Sequence, residues 1–413
     1  MRVIKVRSRE WEKLVQRGFC RRARVEDKVR KILDGVRADG DEALLRYTRL
    51  FDRVKLTPKQ LKVTESETTA AFQNIRPEFV ASLKKVIENV NRFYRRSVKK
   101  PWRIRDEHGV VLGEHPVPLD RVGVYIPSGT APLVSTVYMT VLPAKIAGVR
   151  EIILATPPKP DGRVDPHILV VANLLKVSAV YKMGGAQAVA AMAFGTKTVP
   201  KVDKIVGPGN AYVTEAKRQV FGYVDIDMTA GPTEIAVIAN QSANAEYVAR
   251  DLEAENEHHQ GLAILITTSK ALAKTIRSKV SRGYIVMAKS LDEAAEIANA
   301  IAPEHLEIQV RRPEALVRKI KNAGAIFTGP YSPASVGDYA AGPSHVLPTG
   351  GTARFFSGLG VGEFVKVCHV IGYTKKALEN DREMIERLAK IEGLPKHWES
   401  VAARFSEELR VKG

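Results

Sequence analysis

From Arg121 onward the sequence repeats one rhythm. Short apolar runs, VGVYIP, EIILAT, SAVYKM and VDKIVG, alternate with amphipathic stretches that begin near Ser135, Asp165, Ala186 and Asn210. Apolar runs too short for a buried helix, separated by amphipathic stretches, are the pattern of βα units on a parallel sheet. A second series follows in EIAVIA, LAILIT, YIVMA, LEIQV and AIFTG. The chain is therefore expected to be α/β, with two sheet domains of similar kind. Upstream, residues 24–98 read as helical, with Val25, Val29, Ile32 and Val36, then Leu44, Leu45 and Tyr47, at helical spacing. This block is expected to pack with the second sheet. Residues 103–118 look like a hairpin turning at His108-Gly109. A tail with helical patterns near Lys376–Ile391 and Lys396–Glu408 is too small to hold a core of its own and must dock on something.

Composition removes several classes. The two cysteines, Cys20 and Cys368, are far apart and outside any CxxC, which excludes a disulfide framework and a thiolate zinc site. The charged opening MRVIKVRSREWEKL lacks a signal peptide's apolar core, and no unbroken apolar stretch reaches membrane-helix length. A cytoplasmic protein with no membrane partner is the expectation. The formal charge of +18 invites a nucleic-acid reading, but the cations are spread along the chain and no nucleic-acid-binding motif accompanies them. No nucleic-acid partner is expected. Attraction of anionic ligands, a dinucleotide included, suits the charge equally well.

No GxGxxG or GxxxxGK occurs. Small-residue turns take their place at strand ends of the first series: YIPSGTAP (125–132), MGGAQA (183–188) and GPGNAY (207–212). Each offers backbone N–H groups at a helix start, where a phosphate is welcome. Tyr125, Gln187 and Asn210 are their polar handles. IDMTAGPTEIAVIA leads from the first sheet to the second, and Gly231-Pro232 marks the crossing where a cleft would open, with Thr233 on its wall.

In EAENEHHQG (253–261), Glu255, His258 and His259 share a face if the stretch ends a helix. That face is a metal half-site, an acid–base pair or a solvated surface; spacing does not decide. APEHLEIQ sets Glu304 and His305 side by side before a strand. Alone it reads as a polar connector, but Asp338, His345, Glu392 and His397 add further polar residues in glycine- and proline-rich surroundings. His and carboxylate ligands without cysteine suit zinc in an open site.

Taken together, RVGVYIPSGTAPLVSTVYM, GGAQAVAAMAFGT, VPKVDKIVGPGNAYVTEAKRQV, IDMTAGPTE and APEHLEI…GAIFTG…SVGDYAAGPSHVLPT resemble histidinol dehydrogenases, from about Val25 to His397. The resemblance implies two Rossmann-like, aldehyde-dehydrogenase-like α/β domains and a small helical tail swapped between the subunits of a homodimer. It divides the chain into an arm (1–23), a catalytic domain (24–122 and 232–360), a NAD-binding domain (123–231) and the tail (361–413). It implies oxidation of L-histidinol to L-histidine through L-histidinaldehyde, with two NAD+ and one zinc per subunit. The metal set falls on Glu255, His258, Asp338 and His397, the last from the partner's tail. His305 matches the general base and Glu304 the residue that activates water. Thr233, His345 and Glu392 line the substrate pocket beside the metal ligands and His305, and Tyr125, Gln187 and Asn210 match the NAD contacts. The family usually has glutamine at the position of Glu255.

The chemistry agrees with these residue types. Oxidising an alcohol needs a base near neutrality for the hydroxyl proton, and histidine is that base. The second oxidation needs water added to an aldehyde, which a neighbouring carboxylate can orient and deprotonate. Two enzymatic alternatives share the site: a zinc hydrolase, which has no use for three glycine turns, and a related zinc- and NAD-dependent dehydrogenase of another small polar alcohol.

Overall fold

The computed structural model describes residues 1–17, 23–128, 131–258 and 260–405. His259 and Cys20, both named above, lie outside them, as do Gly129 and Thr130 of the first glycine turn and residues 406–413 of the tail. The strands in chain order are β1 (Arg2–Ile4), β2 (Trp102–Arg105), β3 (Val111–Pro118), β4 (Arg121–Tyr125), β5 (Glu151–Thr156), β6 (Ala179–Lys182), β7 (Lys204–Val206), β8 (Asp225–Ile226), β9 (Glu234–Ala239), β10 (Leu262–Thr267), β11 (Tyr284–Met287), β12 (His305–Gln309), β13 (Ala325–Thr328) and β14 (Val365–Gly372).

Residues 1–98 and 118–364 form one compact unit, and 99–117 with 365–413 a second. The first unit holds both expected sheets. One is ordered β6-β5-β4-β7-β8 and the other β1-β11-β10-β9-β12-β13, each parallel throughout. A parallel sheet covered on both faces needs strands apolar on both sides, and EIAVIA of β9 is buried along its whole length. One face of the second sheet packs Ala236, Ile238, Leu306 and Ile308 into a core. The other packs Ile235, Val237 and Leu265 with Val248 and Leu252 of the helix Ala245–Asn256.

Two expectations about neighbours are corrected. The helices Ala23–Asp39 and Asp41–Phe51 share a core with the first sheet, through Val29, Ile32, Leu44, Ile153 and Val189, not with the second. Their amphipathic pattern identifies a buried face but not the surface that covers it. The opening residues are more than an arm, because Arg2–Ile4 pair with β11 and extend the second sheet. In the second unit the hairpin β2–β3 and strand β14 make a three-stranded sheet ordered β14-β3-β2, joined in sequence by the helices Lys375–Ile391 and Pro395–Ala402. The tail thus shares its unit with the hairpin. Among the described residues no helix is long and apolar enough to cross a membrane.

Strand order places the ligand crevice. In the first sheet the order reverses between β4 and β7, so loops diverge from their carboxyl ends at Tyr125 and at Gly207–Asn210. The second sheet reverses between β9 and β12, but there the polar residues gather at the strands' amino ends. Thr233 precedes β9, and Glu304 and His305 open β12.

Candidate active site

A cavity of about 580 Å³ lies where these ends meet, lined among others by Asn210, Gly231, Thr233, His258, Gly261 and Thr349. Gly231 is held there by its N–H, which donates to the Thr349 hydroxyl. Beside Thr233 sits a buried polar group. The helix Leu291–Ile301 ends on Ala302 at φ 51°, a left-handed conformation that swings the chain so that Glu304 and His305 enter β12 facing β9. The Glu234 N–H donates to Glu304 Oε2 at 3.0 Å, and His305 Nδ1 lies 3.3 Å from the Glu234 carbonyl. A carbonyl only accepts, so the Nδ1 of His305 carries the proton. Its Nε2 faces Asp338 Oδ1 at 3.8 Å.

The carboxyls feel their burial. Glu304 is raised well above the usual carboxylate range by burial, with the Thr233 hydrogen bond opposing and the charges of Glu234 and Asp338 adding to the rise. Glu255 is pushed up to about 7 by burial first and then by the Glu304 charge, with His305 and the Thr233 hydroxyl opposing. The Thr233 hydroxyl thus acts on both carboxyls, favouring the ionised form of each. The turn after Glu255 is closed by Gly261, where a Cβ would overlap the Glu255 carbonyl.

The helix ends at Asn256, so Glu255 and His258 do not share a helical face as the sequence pattern allowed. His258 follows on the turn, with its N–H 3.3 Å from the Glu255 carbonyl and its side chain exposed. His345 bridges elsewhere: its Nδ1 lies 2.9 Å from the Asp338 carbonyl and its Nε2 3.2 Å from the Thr136 hydroxyl. Burial holds its pKa down, so it is a neutral imidazole with both nitrogens engaged. Glu392 caps the Lys375–Ile391 helix and His397 lies on the Pro395–Ala402 helix, both exposed and both in the second unit.

Among the described residues no three His, Cys, Asp or Glu side chains converge as a ready metal site. The donor chemistry fits zinc in part: Glu255 Oε1 is buried with no hydrogen-bond partner, and the half-buried Asp338 acts on it through its charge. A cation is what a buried, partnerless carboxyl oxygen near a second carboxylate lacks.

At the carboxyl ends of the first sheet, the Tyr125 hydroxyl accepts the Gly185 N–H at 3.1 Å, and Asn210 caps the Ala211–Val220 helix by accepting from Tyr212 and Val213. Gln187 is fully buried; its Nε2 donates to Asp52 at 3.4 Å while its Oε1 has no partner. Burial lifts Asp52 to about 6. Asp52 was not legible from the sequence, where it closes an ordinary amphipathic helix. Arg17 was missed too: its Nε donates to Glu234 Oε2 at 2.7 Å, steadying the residue whose backbone holds both Glu304 and His305.

Two parallel α/β sheets meeting at a crevice, with a histidine anchored through Nδ1 beside buried carboxyls, define an α/β enzyme of acid–base chemistry. The comparisons with known proteins make this specific. The family model for histidinol dehydrogenase matches residues 15–405. The chain is 44% identical to the histidinol dehydrogenase of Clostridium acetobutylicum, over 98% of this chain and 99% of that one. It is 46% identical to that of Bacillus cereus, over 93% of each. The crystal structure of histidinol dehydrogenase from Elizabethkingia anophelis superposes with a TM-score of 0.93 at 35% identity, covering 98% of both chains. The chain belongs to the histidinol dehydrogenase family. It is an oxidoreductase that oxidises histidinol in histidine biosynthesis.

Proposed function

We propose that the chain carries the oxidation through four electrons, from L-histidinol by way of L-histidinaldehyde to L-histidine, as a NAD-dependent, zinc-dependent cytoplasmic homodimer. The observation that supports this best is the setting of His305, whose Nδ1 lies 3.3 Å from the Glu234 carbonyl and whose Nε2 lies 3.8 Å from Asp338 Oδ1. In the first oxidation that nitrogen takes the hydroxyl proton as hydride leaves the carbinol carbon. In the second, Glu304 orients a water against the aldehyde and takes its proton once its own has left; burial makes it a stronger base than a free carboxylate, and the Glu234 N–H, 3.0 Å from Oε2, opposes that rise without reversing it. Thr233 and His345 would line the substrate pocket, His345 as a neutral wall.

Glu255, His258 and Asp338, with His397 of the partner subunit, would hold one zinc. A zinc held there would anchor the amino and imidazole nitrogens of the substrate, a template more than a Lewis acid. The partnerless Glu255 Oε1 supports this choice of residues. Tyr125, Gln187 and Asn210 would hold NAD+, which accepts a hydride in each oxidation; the partnerless Gln187 Oε1 supports it. The test is to mix protein, NAD+ and L-histidinol and follow NADH. Two NADH per histidinol, abolished by a strong chelator and restored by zinc, is the expected result. One NADH per histidinol, or activity indifferent to the chelator, overturns the reading.

A further inference from the structure

Behind the reacting pair, β12 reads His305-Leu306-Glu307-Ile308-Gln309. Alternation sends Leu306 and Ile308 into one apolar core and sets His305, Glu307 and Gln309 on the opposite face. Their register partners on β9 are Ile235, Val237 and Ala239, all members of the other apolar core. A polar ladder therefore runs down an apolar layer, and its middle rung, Glu307, has no exposure to solvent. Isolated there, a carboxylate would be strongly disfavoured. It is not isolated. Glu307 Oε1 accepts the Ala334 N–H at 2.8 Å, Oε2 accepts from the Gln309 amide at 3.2 Å, and its carboxyl is hydrogen-bonded to that of Asp251. With Glu307 fully buried and Asp251 half-buried beside it, a second charge is disfavoured and one proton shared between them holds the pair. Burial, then the Asp251 charge, raises Glu307 to about 8, and burial raises Asp251 as well.

The three partners of this knot stand on three different elements. Asp251 lies one helical turn before Glu255 on the Ala245–Asn256 helix. Glu307 lies two residues after His305 on β12. Ala334 opens the short helix Ala334–Tyr339 that carries Asp338. We propose that Asp251 and Glu307 are positioning residues for the oxidation: a proton-sharing strut that fixes the Glu255 helix and the Asp338 helix against the His305 strand, and so sets the spacing of the zinc-ligating oxygens. The proposal rests on the site reading given above. The carboxyls touch neither substrate nor cofactor; they act through the elements they join.

The test compares variants that keep the hydrogen bonds with variants that cut them. Glu307→Gln and Asp251→Asn each replace the shared proton by an amide N–H, and Gln309 can turn its own amide to match. Both are expected to stay within about threefold of wild type in kcat and in zinc affinity, measured on metal-free protein by competition with a chelating dye. Ala334→Pro deletes only the N–H that ties the Asp338 helix to Glu307; proline is accepted at a helix's first position, and Pro333 already has the extended backbone that proline requires before it, with ψ 154°. Asp251→Leu/Glu307→Leu removes both carboxyls together, which spares stability more than removing one. Each cutting variant is expected to lose about 10- to 100-fold in zinc affinity, the range for groups that orient metal ligands, with kcat falling alongside while the fold is retained. Ala334→Pro with wild-type zinc affinity and kcat overturns the proposal, whether or not the double variant folds. So does a Glu307→Gln loss as large as that of Ala334→Pro. Wild-type protein run in parallel separates the two levels: a wild type that binds no zinc removes the site reading, whereas zinc weakened only in the cutting variants supports the strut.

Discussion

Arg17 lines the candidate cavity without a hydrogen bond to Glu304 or His305, yet its removal is expected to be among the costlier single changes in the chain. Its guanidinium pairs with Glu234 at 2.7 Å, with side chains 14% and 2% exposed, and Nη1 also donates to the Leu14 and Ile301 carbonyls. Arg17→Met leaves the Glu234 carboxylate buried, with the Gly350 N–H at 3.1 Å as its remaining donor among the described residues. Breaking a buried pair from one side costs about 3–5 kcal/mol, because the other charge is left uncompensated. An unfolding entropy of roughly 2.1 cal/mol/K per residue, over a unit of roughly 350 residues, converts this to a fall in Tm of about 4–7 °C. Calorimetry at fixed protein concentration and pH 7 measures it. Activity should fall as well, since the Glu234 backbone holds both Glu304 and His305. Replacing both partners, in Arg17→Met/Glu234→Met, should recover most of the lost stability. A Tm for Arg17→Met within about 1 °C of wild type would refute the reasoning, because the pair would then contribute no more than an exposed one.

His305→Asn should slow alcohol oxidation by about 10²- to 10⁴-fold, and Glu304→Gln should slow aldehyde oxidation more than alcohol oxidation; single-turnover NADH traces with each substrate check this, and equal damage to both steps in both variants argues against divided roles. Asp338→Ala and His397→Ala, each inactive, should regain roughly a quarter of wild-type activity when dissociated together and reassembled, because random pairing gives half mixed dimers with one intact site each; no recovery after complete subunit exchange excludes a swapped tail. Chelator-treated protein should lose stability as pH rises from about 4.5 to 8. Glu255 and Glu307 are held protonated in the fold to about 7 and about 8, while unfolded carboxyls ionise near 4.5, so the unfolded state releases its protons first and is favoured across that window. Urea midpoints across the range read the effect, and Glu255→Gln should flatten its part below about pH 7.

How much of this was legible follows from what each signal measures. Both sheet series could be read because strands buried on two faces are apolar on both, and EIAVIA or LAILIT leave little else to be. The home of the Ala23–Phe51 helices could not be read, since Val29 and Val36 report that a face is buried and not which sheet buries it. Arg2–Ile4 is too short for periodicity to register, and the hairpin's place with the tail depends on contacts between segments far apart in the chain. In the site, Glu304 and His305 stand out as an adjacent acid and base, but the metal and NAD assignments came through family resemblance. Arg17, Asp52 and Asp251 look like ordinary surface charges in sequence. Glu307 had a visible signal: a run of His, Glu and Gln on alternate positions of an otherwise buried strand.

The opposed sense of the two sheets at the crevice has an electrical consequence. Where the first sheet presents strand carboxyl ends, helices begin, and the starts at Gly185 and Ala211 have no acidic side chain in their first turns. Where the second sheet presents strand amino ends, helices finish, and those ending at Asn256 and Ile301 have no basic side chain in their last turns. Aligned peptide dipoles give a helix start a partial positive charge and a helix finish a partial negative one. One lip of the crevice is thus electropositive and the other electronegative, before any ionised side chain is counted. A dinucleotide's phosphates would be drawn to the first lip and an aminoalcohol's ammonium to the second.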